Sequence, residues 1–148
     1  MKREKRIALA LEAFRIDYNC SHSVLLGYPD LMADSRETIL KQAAGFGGGI
    51  GRLQMICGAI TGAVMVLGLY RGAILPDAEA KETMARLIRR LADEFGRRNG
   101  AITCSGLIGV DLNTPEGKKA HKETGIRERV CEKCIADAIS IVEEILAE

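Results

Sequence analysis

Apolar residues recur at three- and four-residue spacing along most of the chain, a period that predicts helix almost throughout. Ile7, Leu11 and Phe14 place one stripe on a helix over residues 2–14. Asn19 is a good N-cap for a short helix over residues 20–26, which Gly27 and Pro29 would end. Asp34 or Ser35 can cap a third helix reaching about residue 44. The apolar stretch at residues 52–70 predicts a buried central helix. Pro76 and Asp77 open a long amphipathic helix whose stripe is Met84, Leu87, Ile88, Leu91 and Phe95, and Asn99-Gly100 closes it. Residues 103–108 read as one or two helical turns. Thr114-Pro115 pairs a cap with a proline at the first helical position of a polar helix that stops at Gly125. A last helix over residues 129–146 carries Cys131, Ile135, Ala138, Val142 and Ile145 on one face. No segment alternates with period two, so the fold class expected is all-α. It would be an irregular multi-helix bundle, a single domain over residues 1–148, built around the glycine- and alanine-rich central helix.

Gly58, Ala59, Gly62 and Ala63 give that central helix a face of small residues. Each glycine costs about 1 kcal/mol relative to alanine inside a helix, so something must approach the face closely. Another helix of the chain, a second subunit of a homodimer and a cofactor all fit this requirement. Ahead of it lies a glycine loop, residues 45–51, whose backbone can pass close to a helix or a cofactor. Gly48, Gly49, Gly58 and Gly62 are therefore the candidate cofactor-contacting glycines. The loop is not a phosphate cradle. No Gly-Lys-Ser/Thr follows it, and it does not fit G-x-G-x-x-G after a strand.

Composition narrows the function classes. The 148 residues are 47% hydrophobic and 28% charged, with a net charge of +1, so no strong field draws nucleic acid or an anionic membrane. Aromatic residues are only 4% and tryptophan is absent, which leaves no base-stacking platform. The basic start, residues 1–6, reads as the solvated first turn of a helix. The longest apolar run, residues 55–70, falls short of the roughly 20 residues that a membrane span needs. No secretory leader pattern is visible, so a cytoplasmic location is expected. In a reducing compartment the five cysteines call for packing, metal ligation or redox work rather than structural disulfides.

Cys20 falls in the first turn of its helix, where backbone N–H groups and the positive dipole end favour a thiolate. Cys104 follows Thr103 in a comparable position, Cys131 lies near the start of the last helix, and Cys57 is expected more than a turn inside the central helix. Free cysteine is also among the most buried residue types and often only fills space. His22, two positions after Cys20, points away from it on a helix, and His121 is expected to be exposed on its polar helix. Arg52 opens the expected central helix and could face an anion, with a solvated arginine as the default reading. Cys131-Glu132-Lys133-Cys134 has CxxC spacing but no preceding βα unit, so Cys134 is assigned to the core.

Tyr18-Asn19-Cys20-Ser21-His22-Ser23-Val24-Leu25 resembles the first cysteine block of a redox-active family named for its C–GCAxxG–C–C pattern. The loop at residues 47–52 followed by Cys57-Gly58-Ala59-Ile60-Thr61-Gly62-Ala63 is similar to the second block. Cys104 ahead of Leu107-Ile108-Gly109 is similar to the third, and Cys131 leading into Ala136-Asp137-Ala138 to the fourth. Order and spacing agree over nearly the whole chain. Two departures stand out: Ile56 replaces the glycine before the central cysteine, and Cys134 is an addition.

The resemblance implies redox activity carried by Cys20, Cys57, Cys104 and Cys131. A related domain accompanies an iron–sulfur site in a split-Soret type of cytochrome, which implies the same four cysteines as ligands of an iron–sulfur cluster or other metal for electron transfer or redox sensing. Four cysteines are the usual complement of such a cluster. The partner expected is a redox protein or a small-molecule oxidant or reductant. Two alternatives stand beside this reading. One is metal-free thiol–disulfide chemistry with Cys20 as nucleophile. The other is a non-catalytic helical interaction module in which the cysteines only pack. Zinc is weakly signalled, since the single CxxC has no second pair at finger distance.

Overall fold

The computed structural model describes residues 1–148. It is all-α. No strand forms, and the one isolated antiparallel bridge joins Ile56 to Thr103. The elements run α1 (Arg3–Arg15), α2 (Cys20–Leu26), the short turn α3 (Pro29–Met32), α4 (Arg36–Ala43), the distorted glycine turn α5 (Gly47–Ile50) and α6 (Gly58–Arg71). They continue as α7 (Ala78–Asn99), α8 (Cys104–Ile108), α9 (Pro115–Glu123) and α10 (Glu132–Leu146). No helix is long and apolar enough to cross a membrane.

Local chemistry sets most boundaries. The Asn19 side chain caps α2 by accepting the His22 N–H at 2.8 Å. Asp77 caps α7 by accepting the Ala80 N–H at 2.9 Å, and Gly100 ends that helix in the left-handed conformation. Thr103 and Thr114 cap α8 and α9 in the same way. The stripe of α7 buries Leu91 and Phe95 completely, with Met84 and Leu87 packed at the margin of the core. The face of α10 buries Ile135, Ala138, Val142 and Ile145. With Val24, Leu25, Val66 and Leu67 from α2 and α6, these residues form one continuous core. Each fully buried aliphatic or aromatic side chain contributes about 1.5–3 kcal/mol.

Three expectations need correction. The central helix starts at Gly58, not at residue 52, because Ile50, Arg52 and Gln54 all take positive φ and the chain runs as a loop until Cys57. The last helix begins earlier than residue 129, with a π-helical turn over Arg127–Cys131 that runs directly into α10. Finally, the basic N-terminus is not wholly solvated. Arg6 is 4% exposed and lies over the Tyr28 ring at 4.3 Å. Its guanidinium bonds Asp30 at 2.7 and 3.0 Å, the Gly27 carbonyl at 3.2 Å, and approaches Glu143 at 2.5 Å. One arginine thus ties α1 to α3 and α10.

Candidate redox-active site

The chain between the glycine turn and α6 is a rigid platform. The N–H groups of Gln54 and Met55 donate to the carbonyls of Gly48 and Gly49, both at 3.0 Å. Buried Gln54 donates through Nε2 to the Val110 carbonyl at 2.7 Å and accepts the Leu112 N–H at 2.8 Å through Oε1. The Cys57 N–H donates to the Ile102 carbonyl at 2.9 Å, and the Cys104 N–H to the Met55 carbonyl at 2.6 Å. These two bonds lock Cys57 and Cys104 into fixed relative positions although 47 residues separate them. Cys57 is the N-cap residue of α6, not a residue inside it as its sequence context suggested.

The small face of α6 explains how Cys20 joins them. A Cβ on Gly58 would stand 2.9 Å from Cys20 Cβ, and one on Gly62 would stand 2.8 Å from the Ser21 carbonyl oxygen. The close partner is therefore the start of α2, within the same chain. Gly48, Gly49 and Gly58 line the cavity described next, whereas Gly62 lies inside the α2–α6 contact.

Cys20, Cys57, Cys104 and Cys131 meet at one open cavity of about 770 Å3. They come from the start of α2, the head of α6, the start of α8 and the π turn ahead of α10. All are free thiols, and Cys57 and Cys131 are buried. Two residues that sequence reasoning set aside also belong here. Cys134 lines the same cavity, within hydrogen-bonding reach of Cys57, with its sulfur 3.7 Å from Asn99 Oδ1. His121 is half-buried rather than exposed, and its Nε2 is 3.4 Å from Cys131 Sγ. The spacing of α9 gives no sign of this, because the contact is made with a residue of the following π turn. His22 stays outside the cavity, with Nε2 2.8 Å from the Leu40 carbonyl oxygen. No three His, Cys, Asp or Glu side chains are preassembled around a single metal ion.

The thiols divide into proton donors and proton acceptors. Cys131 titrates well below the usual thiol range because the Cys20 thiol donates to it, with His121 and the charge of Arg127 adding to the effect. Cys20 moves the opposite way, through that same hydrogen bond, burial and the neighbouring sulfurs. This reverses the assignment from helix position, which favoured a thiolate at Cys20. Cys57 is lowered by the Cys134 thiol and then by the amides of Ala59 and Ile60, while Cys134 is raised in turn. Burial pushes Cys104 up to about 12, so its place at a helix start does not ionise it. The site therefore contains two hydrogen-bonded thiol pairs, Cys20 with Cys131 and Cys57 with Cys134, in which Cys131 and Cys57 are shifted toward the thiolate and their partners toward the thiol, while the fifth, Cys104, is shifted toward the thiol by burial.

A group with a depressed pKa keeps its thiolate as pH falls. In metal-free protein, labelling of Cys131 by iodoacetamide should thus hold its rate from pH 8 to pH 6, where an ordinary thiol loses about tenfold per unit. Cys20→Ala removes the proton donor and should slow Cys131 labelling at pH 6 several-fold. Peptide mass spectrometry after timed quenching measures both.

A helical bundle that gathers cysteines from four separated elements into one cavity defines an all-α cysteine-cluster protein. The family model described as putative redox-active protein (C_GCAxxG_C_C) matches residues 18–145, and the chain belongs to that family. The match begins just before Cys20 and ends in the last turn of α10, so it takes in every cysteine. No curated protein and no solved structure matches the chain.

Proposed function

We propose that the cavity holds an iron–sulfur centre used for electron transfer or redox sensing, with Cys20, Cys57, Cys104 and Cys131 as its ligands. The observation that carries this reading is the convergence of those four thiols, from four elements, on one cavity. The donor set suits the group: soft sulfur ligands, two of them already biased toward thiolate. The thiols meet in pairs, and no three of them are gathered around one point, so their spread differs from a preformed mononuclear site. A polynuclear centre fits that spread better than a single zinc ion, which needs four ligands at about 2.0–2.3 Å. When bound, such a centre supplies a one-electron couple. The protein's own contribution is to bury the ligands, fix Cys57 against Cys104 through the 56–103 bridge, and hold Cys20 against α6.

A second reading is favoured by the Cys20–Cys131 pair. The Cys131 thiolate would attack a disulfide of an oxidised partner protein or small molecule, releasing one partner thiolate. Cys20 would then lose its proton to that leaving group and attack the mixed disulfide. The products would be a Cys20–Cys131 disulfide and fully reduced partner, a two-electron exchange.

The readings separate on anaerobic purification. The cluster reading expects coloured protein with iron and acid-labile sulfide near stoichiometric with the chain, and loss of both in Cys57→Ser. Colourless, iron-free protein with five titratable thiols would contradict it, and a Cys20–Cys131 disulfide formed on mild oxidation would then favour the second reading.

A further inference from the structure

We infer that the mouth of the cysteine cavity is an entry and binding site for a small anionic molecule, held next to the thiols. Five cationic side chains line the cavity, Arg52, Lys118, Lys119, Lys122 and Arg127, against the two carboxylates of Asp17 and Glu123. The whole chain carries a net charge of only +1, so an excess of three positive charges at one opening is a local concentration. Arg127 is already engaged. It donates to the Phe14 carbonyl at 2.7 Å, covers the Phe14 ring at 4.0 Å and faces Asp17 at 3.7 Å. The other four are exposed, and none forms an ion pair. Elsewhere on the surface Arg15, Arg90 and Arg98 each hold a carboxylate.

These charges sit on firm supports. Lys118, Lys119 and Lys122 project from α9, which Thr114 caps and His121 ties to Cys131. Arg52 sits on the hydrogen-bonded platform, and its carbonyl accepts from the Asn113 side chain at 2.9 Å. A cavity of about 770 Å3 falls in the size range of small-molecule sites. A cleft lined by one sign of charge concentrates ions of the other sign. The ligand class is accordingly a small carboxylate-, sulfonate- or phosphate-bearing compound. The inference rests on the cavity being the redox site, but not on which redox group that site uses.

Three disulfide reagents of different charge test it on the 148-residue chain, reduced and freed of metal by chelation: dithiobisnitrobenzoate, which is dianionic, dithiodipyridine, which is neutral, and cystamine, which is dicationic. Each initial rate of thiol modification is divided by the rate on urea-unfolded protein, which removes intrinsic reactivity. The expected result at low salt is a preference for the anionic over the cationic reagent of about tenfold or more, within the range known for charge-steered encounters, collapsing at high salt. Lys118→Gln/Lys119→Gln/Lys122→Gln should abolish most of the preference while leaving the neutral reagent's rate unchanged, and Lys81→Gln on α7 should leave the preference intact. Absence of any charge preference would overturn the inference. So would a preference that survives the triple variant, or one that Lys81→Gln lowers equally. Iron content reads the cluster proposal independently, so either can fail while the other stands.

Discussion

Gly49→Ala should lower the stability of the protein by about 2–4 kcal/mol, from backbone strain and overpacking together, and should disorganise the cysteine site. Gly49 sits at φ +65°, a conformation costly for any residue with a Cβ. An added Cβ would also stand 2.6 Å from the Met55 nitrogen and 2.8 Å from the Gln54 carbonyl carbon, both backbone atoms that cannot swing aside. The segment that would have to move bonds Cys104 through the Met55 carbonyl and leads directly into Cys57. Urea unfolding followed by circular dichroism measures the stability change. Iodoacetamide labelling should show Cys57 and Cys104 reacting faster than in the parent protein even below the unfolding transition. A neutral effect on both readouts would mean that the glycine turn does not hold the site.

Arg6→Ala should cost about 3 kcal/mol, at the low end for breaking a buried ion pair because both carboxylate partners keep partial access to water. The substitution leaves Asp30 and Glu143 without their cation, strips the Tyr28 ring of its covering guanidinium, and removes the donor to the Gly27 carbonyl. Arg6→Met should recover part of the loss by restoring the packed stem. The clamp also has a pH signature. The hydrogen bond from Arg6 holds the Asp30 carboxyl below its ordinary range. A depressed carboxyl contributes stability that is present above its unfolded pKa and lost as pH falls through the folded value. The stability difference between parent and Arg6→Ala should therefore be largest near neutrality and narrow at acid pH, leaving the part due to packing on Tyr28 and the Gly27 hydrogen bond. Cysteine chemistry should change little, because Arg6 lies away from the cavity.

These two residues also mark where the sequence was readable. Elements with local signals were legible: the Asn19, Asp77, Thr103 and Thr114 caps and the stripes of α7 and α10 stand where periodicity and capping put them. What escaped depends on partners distant in the chain. Ile50, Arg52 and Gln54 take positive φ because Gln54 is held by Val110 and Leu112, more than fifty residues on, so an apolar run that reads as helix becomes a loop. Arg6 is buried because Asp30 and Glu143 converge on it. The motif named the four cysteines but not their protonation. Helix position favoured a thiolate at Cys20, whereas the tertiary pairing makes Cys20 the donor and Cys131 the acceptor. Cys134 and His121 line the cavity on either side of a π turn, and such turns, frequent at functional sites, leave no clear mark in a hydrophobic pattern.

In the proposed function Cys20, Cys57, Cys104 and Cys131 share one centre. Its most direct test is anaerobic alkylation of the freshly purified protein, read cysteine by cysteine by mass spectrometry, before and after iron is removed with a chelator. A shared centre predicts that all four resist labelling in the native state and become reactive together when the iron leaves. Immediate labelling of all four, unchanged by the chelator, would contradict it.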